Sequence, residues 1–160
     1  MNDYKFETWT IGKPKILLLP AAKAEPDEKL PGAYPKEKDH YLCYAVENGT
    51  PIDVDIALTD QIDDKFKKET GGKATEDITK LTPKYLGVPV KKEGVGEPKD
   101  RINLDAHLAI YELNKKKRRK FSVQYQVLDQ FVPGKGATVT VNESHYLAVP
   151  SKKKPIKPNR

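Results

Sequence analysis

The chain predicts an all-β fold: an antiparallel sandwich or barrel made of two tandem sequence-related units preceded by a partial one. Three observations carry this. One phrase occurs three times, as Ile16-Leu17-Leu18-Leu19-Pro20, Tyr85-Leu86-Gly87-Val88-Pro89 and Tyr146-Leu147-Ala148-Val149-Pro150, each with a lysine three positions beyond its proline. Other anchors repeat in the same order. His40-Tyr41-Leu42-Cys43-Tyr44-Ala45-Val46 corresponds to His107-Leu108-Ala109-Ile110-Tyr111-Glu112-Leu113 at an offset of 67, Asp60-Gln61-Ile62 to Asp129-Gln130-Phe131 at 69, and Pro89 to Pro150 at 61. Finally, apolar residues recur with period two between clusters of turn formers, the pattern of half-buried strands.

The N-terminus joins the same scheme. Glu7-Thr8-Trp9-Thr10-Ile11 lies over Ala137-Thr138-Val139-Thr140-Val141 at an offset of 130, just ahead of the repeated phrase. The chain therefore opens with the closing third of a unit and continues with two full units, and such internal periodicity outranks local propensity in deciding architecture. The division is a partial repeat at 1–24, a linker at 25–39, a first unit at 40–92, a linker at 93–101, a second unit at 102–153 and a basic tail at 154–160.

Element by element, residues 4–11 alternate as a strand and turn at Gly12-Lys13-Pro14. Each repeated phrase reads as a short strand stopped by its proline, which has no amide proton to continue a ladder. Residues 24–39 collect prolines and charges and read as a loop or crossover. Residues 40–47 form a strand running into Asn48-Gly49-Thr50-Pro51, a hairpin signal, and Ile52, Val54, Ile56 and Leu58 follow in strict alternation with Asp53, Asp55 and Ala57. A helical turn or two is expected within 61–72, where Ile62 and Phe66 stand four apart. Strands at 78–81 and 85–90 close the first unit. The second runs as a strand at 102–113, a turn through Asn114 and the basic run, a returning strand at 121–128, then strands at 137–141 and 145–150.

Length and composition set the limits. At 160 residues the chain suits one domain or one intimate pair of half-domains, and at 37% hydrophobic content its core must be economical. No window approaches the ~18 apolar residues that cross a bilayer, and the apolar stretch at 15–22 is too short and too internal for a signal peptide, so the chain as given is expected to be soluble without a membrane span. The net charge of +6 favours polyanions and also keeps a lysine-rich protein in solution. Cys43 is the single cysteine, which rules out an internal disulfide and a cysteine-based zinc site, and its apolar setting marks it as a small buried hydrophobe.

The succession His-x-x-[Cys/Ile]-Tyr-x-[Val/Leu], then Asp-Gln-[Ile/Phe], then Leu-x-Val-Pro-x-x-Lys resembles an uncharacterised repeat domain of secreted and cell-surface proteins of archaea and bacteria. The likeness covers residues 8–153 and implies a β-rich extracellular module without a known activity or site. In that family the closing phrase usually reads Leu-Cys-Val-Pro, and the resemblance implies that this cysteine pairs with one ahead of the first tyrosine. Here Cys43 keeps the first position, but Leu18, Gly87 and Ala148 occupy the second and Ile110 replaces the first in the later unit.

Candidate chemistry is sparse. His40, His107 and His145 match no metal-ligand spacing, and His40 and His107 are equivalent positions that read as strand-end side chains with local hydrogen bonds. Asp60 and Asp129 could pass for repeated acids. With no nucleophile or second acid beside them, each instead reads as an acceptor for backbone amides where a strand enters a turn. Asp53, Asp55, Asp60, Asp63 and Asp64 lack the calcium-loop pattern, and no phosphate loop or nucleophile elbow occurs. The expectation is a non-catalytic protein with no cofactor, metal or small-molecule substrate. Its expected role is a structural or assembly module at the cell surface or outside the cell, self-associating into an oligomer or filament. The strands expected to be shared between copies carry Trp9, Ile11, Ile16, Leu17, Leu18 and Leu19. The alternative partner is an anionic polymer, nucleic acid or glycan, gripped by Lys115, Lys116, Lys117, Arg118, Arg119 and Lys120 on a hairpin tip.

Overall fold

A computed structural model describes residues 8–26, 28–32, 38–62, 67–68, 75–94, 100–116, 122–131 and 136–153. Its described residues hold nine strands: β1 (Ile11–Leu18), β2 (Ala22–Ala24), β3 (His40–Val46), β4 (Ile52–Leu58), β5 (Glu76–Val90), β6 (His107–Lys115), β7 (Val123–Leu128), β8 (Ala137–Val141) and β9 (Tyr146–Ser151). The fold is all-β, as expected, and both of its sheets are antiparallel and open rather than closed into a barrel. The larger sheet runs β1-β3-β5-β6-β9, with β4 also on β5, and the smaller runs β2-β7-β8.

Strand β5 is the spine of the larger sheet. Its 15 residues accept β6 along one edge, from Ile78↔Lys115 to Gly87↔Leu108. Along the other edge it accepts first β3, from His40↔Val90 to Ala45↔Tyr85, and then β4, from Ile52↔Leu81 to Leu58↔Glu76. The core gathers on this spine: Ile78, His40 and Cys43 are its largest fully buried side chains, with Ala109 and Ile110 of β6 beside them. Ala24, Val123, Tyr125 and Leu128 are buried in the smaller sheet, where the Lys23 ammonium sits 4.6 Å above the Tyr125 ring. Alternation in β4 follows the sequence, with Val54, Ile56 and Leu58 half-buried and Asp53, Asp55 and Ala57 exposed.

Three sequence expectations are corrected. The residues 78–81 and 85–90 form one strand rather than two, and Pro89 and Pro150 lie inside β5 and β9, opposite Tyr41 and Leu108, instead of ending them. A strand tolerates proline where its nitrogen faces away from the neighbouring strand. Gly12-Lys13-Pro14 likewise is no turn but the irregular start of β1, where the register with β3 shifts twice.

The second correction concerns Asn48-Gly49. Strands β3 and β4 do not form a hairpin with each other; they follow one another along the same edge of β5. A two-residue hairpin of the type favoured by Asn-Gly needs positive φ at both residues, and neither has it. Asn48 clips the N-terminal strand instead: its Oδ1 accepts the Thr10 amide, its Nδ2 donates to the Thr8 carbonyl at 3.2 Å, and the Glu47 amide donates to the Thr10 carbonyl at 3.0 Å. Gly49 is required for a different reason, since a Cβ there would stand 2.5 Å from the Pro83 Cβ.

Third, the second unit does not return on itself. Strand β6 begins at His107 rather than residue 102, pairs with β5 and β9, and keeps Asn114 and Lys115 within the strand, whereas β7 leaves for the smaller sheet. Ahead of β6, the Asp39 carboxylate accepts the amides of Ile102 at 2.7 Å and Asn103 at 3.0 Å, which holds the opening of the second unit against the start of β3. Of the helical stretch expected within 61–72, Gln61, Ile62, Lys67 and Lys68 carry helical backbone, and the rest lies outside the described residues, as do residues 4–7 and the tail at 154–160.

Gly49→Ala is expected to destabilise the fold by about 1–3 kcal/mol, because the added methyl must displace Pro83 of the spine strand. Gly32→Ala, where an added Cβ meets nothing within 4 Å, serves as the control. Urea midpoints of the two variants against the parent chain measure the difference.

Candidate functional site

The junctions between strands repeat with the same register. Within the first unit β3 meets β5 as His40↔Val90, Tyr41↔Pro89 and Cys43↔Gly87; within the second β6 meets β9 at the equivalent positions His107↔Ser151, Leu108↔Pro150 and Ile110↔Ala148. Between units β5 meets β6 as Tyr85↔Ile110, Leu86↔Ala109 and Gly87↔Leu108. The partial unit meets the first one identically, as Ile16↔Cys43, Leu17↔Leu42 and Leu18↔Tyr41. The larger sheet is therefore an array of alternating closing strands (β1, β5, β9) and opening strands (β3, β6). Side chains mark the repeat as well, since the equivalent Tyr85 and Tyr146 meet edge to face at 5.8 Å across β6.

Both ends of this array are closing strands, and among the described residues neither has a partner on its outer edge. An unpaired strand edge is a row of free amides and carbonyls, the standard surface for adding another strand. The residues expected to assemble fall here in part. Ile16, Leu17 and Leu18 lie on β1 against their own chain's β3, Leu17 and Ile11 remain 43% and 41% exposed, and Leu19 follows the strand half-buried. Trp9 precedes β1 and reaches over the sheet to pack edge to face on Tyr111 of β6, at 6.3 Å between ring centroids.

A second feature arises where the two units differ. The closing strand of the first unit is continuous, but its counterpart is broken at Asn142-Glu143-Ser144-His145 into β8 and β9, which belong to different sheets. Beside the break is a cleft of about 250 Å³, walled by Leu58, Ile62, Leu113, Val141, Tyr146 and Leu147 with Asp60, Glu76 and Ser144 among its polar groups. At Glu76 the carboxylate receives the Lys115 ammonium at 3.2 Å and the Ser144 hydroxyl, with Glu143 4.0 Å from the same ammonium. The Glu76 and Lys115 side chains are 6% and 4% exposed, so two charges are held in the interior by each other. Nothing in the sequence pattern singled out Glu76. Its signal was its equivalence to Ala137 at an offset of 61, a charged residue replacing an apolar one on a strand.

This placement removes Lys115 from the basic run expected to bind an anionic polymer. The alternation of β6 turns that side chain inward to Glu76, whereas Lys116, whose amide donates to the Asp77 carbonyl at 3.0 Å, is exposed. Lys117, Arg118, Arg119 and Lys120 lie outside the described residues.

Asp60, Asp129 and His107 make local hydrogen bonds in turns and at a strand start. Asp60 Oδ1 accepts the Ile62 amide at 2.8 Å and Asp129 Oδ1 accepts the Phe131 amide at 2.7 Å, one turn built twice in equivalent places. His40 and His107 are buried at the starts of equivalent strands, and His107 Nδ1 lies 3.1 Å from the Asp105 carbonyl, a hydrogen bond in the Nδ1–H tautomer. Among the described residues no three potential metal ligands cluster. Asp53 stands exposed on β4, 3.7 Å from Lys80 across the strand pair, a contact of small energetic consequence. Cys43 is a free thiol with no exposed surface, and burial pushes it up to about 11. Opposite it is Gly87, where a cysteine would complete the cross-strand pair that the repeat resemblance implies.

These features define an internally duplicated all-β repeat module whose sheet continues in one register from unit to unit. Residues 2–150 match the family described as a repeat of unknown function (DUF7450), and the chain belongs to that family. No curated protein and no solved structure matches the chain.

Glu76→Ala leaves the Lys115 ammonium buried without its main counter-charge and is expected to cost about 3–5 kcal/mol, whereas the double change Glu76→Leu with Lys115→Met restores most of that stability. Paired denaturation curves and the resulting double-mutant cycle decide it. Cys43 has its own signature. Because the folded thiol titrates near 11 and the ordinary value is 9.0, its stabilisation is intact below pH 9 and declines as the pH rises from 9 to 11. The urea midpoint of the parent chain is expected to fall more steeply than that of Cys43→Ala over that window.

Proposed function

We propose that this protein is a non-catalytic structural module of the cell surface or extracellular space that assembles by continuing its larger sheet through strand sharing with other repeat units, giving an oligomer or filament. The single observation behind this reading is the recurrence of one junction register at every boundary between units, including the boundary made by the partial unit. A strand pair whose register is repeated without change is a joint that can be used again, because main-chain hydrogen bonds supply affinity and the alternating side chains specify the alignment. Heterologous joints of this kind grow into rings or open fibres according to whether the rotation per subunit closes. The non-catalytic part of the proposal draws on the use of Asp60, Asp129 and His107 in turns and strand starts. The placement outside the cell draws on the repeat-domain resemblance alone.

Sedimentation velocity over a concentration series at near-physiological salt tests the reading. Species growing with concentration beyond the 18.0 kDa chain are expected. A strict monomer up to the solubility limit overturns it.

A further inference from the structure

Resting on that reading, we infer that β1 is a replaceable cap: in the assembled state the β9 strand of a second copy displaces β1 and pairs with β3. The argument begins from equivalence. Strands β1 and β9 are the same element of the repeat, the closing strand, as Ile16-Leu17-Leu18-Leu19-Pro20 and Tyr146-Leu147-Ala148-Val149-Pro150 record. An opening strand takes a closing strand on each side, as β6 does between β5 and β9. Strand β3 is in the same position between β5 and β1. Among the described residues the free edges are closing strands and both opening strands are already flanked, so two intact copies cannot join edge to edge through them in the repeat's own register. Removing β1 resolves this. The exposed edge of β3 then matches the outer edge of β9, and a polar array can grow with its first copy still capped by its own β1.

The joint that β9 would make with β3 already exists twice in the chain, as β1–β3 and as β5–β6. The β1–β3 pairing is interrupted by two register shifts around Pro14, and Ile11 and Leu17 remain 41% and 43% exposed. The β5–β6 junction, which is the equivalent of β1–β3, carries two register shifts as well, one of them at Pro83/Tyr85, the counterpart of Pro14/Ile16. The irregularity therefore belongs to the joint itself, and β9 of another copy would meet β3 under the same constraint as β1 does. Transferring the β1–β3 register to β9 places Tyr146 opposite Cys43, Leu147 opposite Leu42 and Ala148 opposite Tyr41 of the neighbouring copy.

The native thiol at Cys43 makes this alignment testable. In the chain itself β9 is three strands from β3, about 14 Å at the usual strand spacing and far beyond the ~7 Å that a disulfide spans between Cα atoms. A Tyr146→Cys variant can therefore be cross-linked to Cys43 only between copies. Under mild oxidation at concentrations where the chain assembles, it is expected to give a ladder of covalent oligomers on a non-reducing gel, which reductant collapses to one band. An Ile16→Cys variant provides the converse, since residue 16 faces Cys43 within the chain and its oxidation locks β1 in place. The locked chain is expected to stay monomeric in sedimentation, and the same sample after reduction, its own folding control, is expected to assemble. Assembly without a Tyr146→Cys ladder, or assembly of the oxidised Ile16→Cys chain, overturns the exchange while leaving strand sharing by another route standing. A parent chain that never assembles overturns both.

Discussion

The register of β5 is the constraint on which the rest of the molecule depends. One strand of 15 residues meets β3 and β4 on one side and β6 on the other, so the alignment of every opening strand in the larger sheet is referred to a single backbone. Side chains alternate with period two, and a slip of one residue would exchange the buried and exposed faces of a whole strand. Ile78 and Cys43 could not then both stay in the core, and Gly87 could not lie beneath Leu108, whose Cβ leaves only 3.1 Å for an added methyl. Close approach at that point is what the variable position of the repeated phrase accommodates in the first unit.

Departure from the repeat is as informative as adherence to it. In the second unit the closing strand breaks at residues 142–145, so its first half and β7 form a separate sheet with β2. The break lets β6 extend to Lys115 along the lower half of β5, where it faces Glu76. Two buried charges are poor contributors to net stability, because their desolvation offsets much of their attraction. They do discriminate strongly against any arrangement that separates them. The pair, with Ser144 from the break, ties the point where the units diverge to the spine strand.

The partial unit has a double attachment. Strand β1 completes the flank of β3, and β2 a few residues later pairs with β7, so the N-terminal segment touches both full units. Asn48 fastens its base with two hydrogen bonds from one side-chain amide. Strand β1 is thus held at its base by Asn48, along its length by β3, and through β2 by the smaller sheet.

Much of this was legible in the amino-acid sequence. Periodicity and the three repeated phrases were enough for the all-β class, the duplication and the equivalence of strands, because binary pattern and turn chemistry are local properties. The turn roles of Asp60 and Asp129 were readable for the same reason, as was the burial of Cys43. Which strand neighbours which was not local. Asn48-Gly49 and the Asn114 turn both suggested hairpins, and in each case β5 offered a longer partner that outcompeted the near one. Pro89 and Pro150 read as strand ends by local chemistry, yet each lies within a strand opposite a residue distant in sequence, Tyr41 and Leu108. Lys115 looked like the first of six surface cations until the alternation of β6 and the position of Glu76 turned it inward. Sequence alone thus determined the repeating elements and their order of use; the tertiary structure decided their pairing, because pairing depends on competition among strands for a few shared edges.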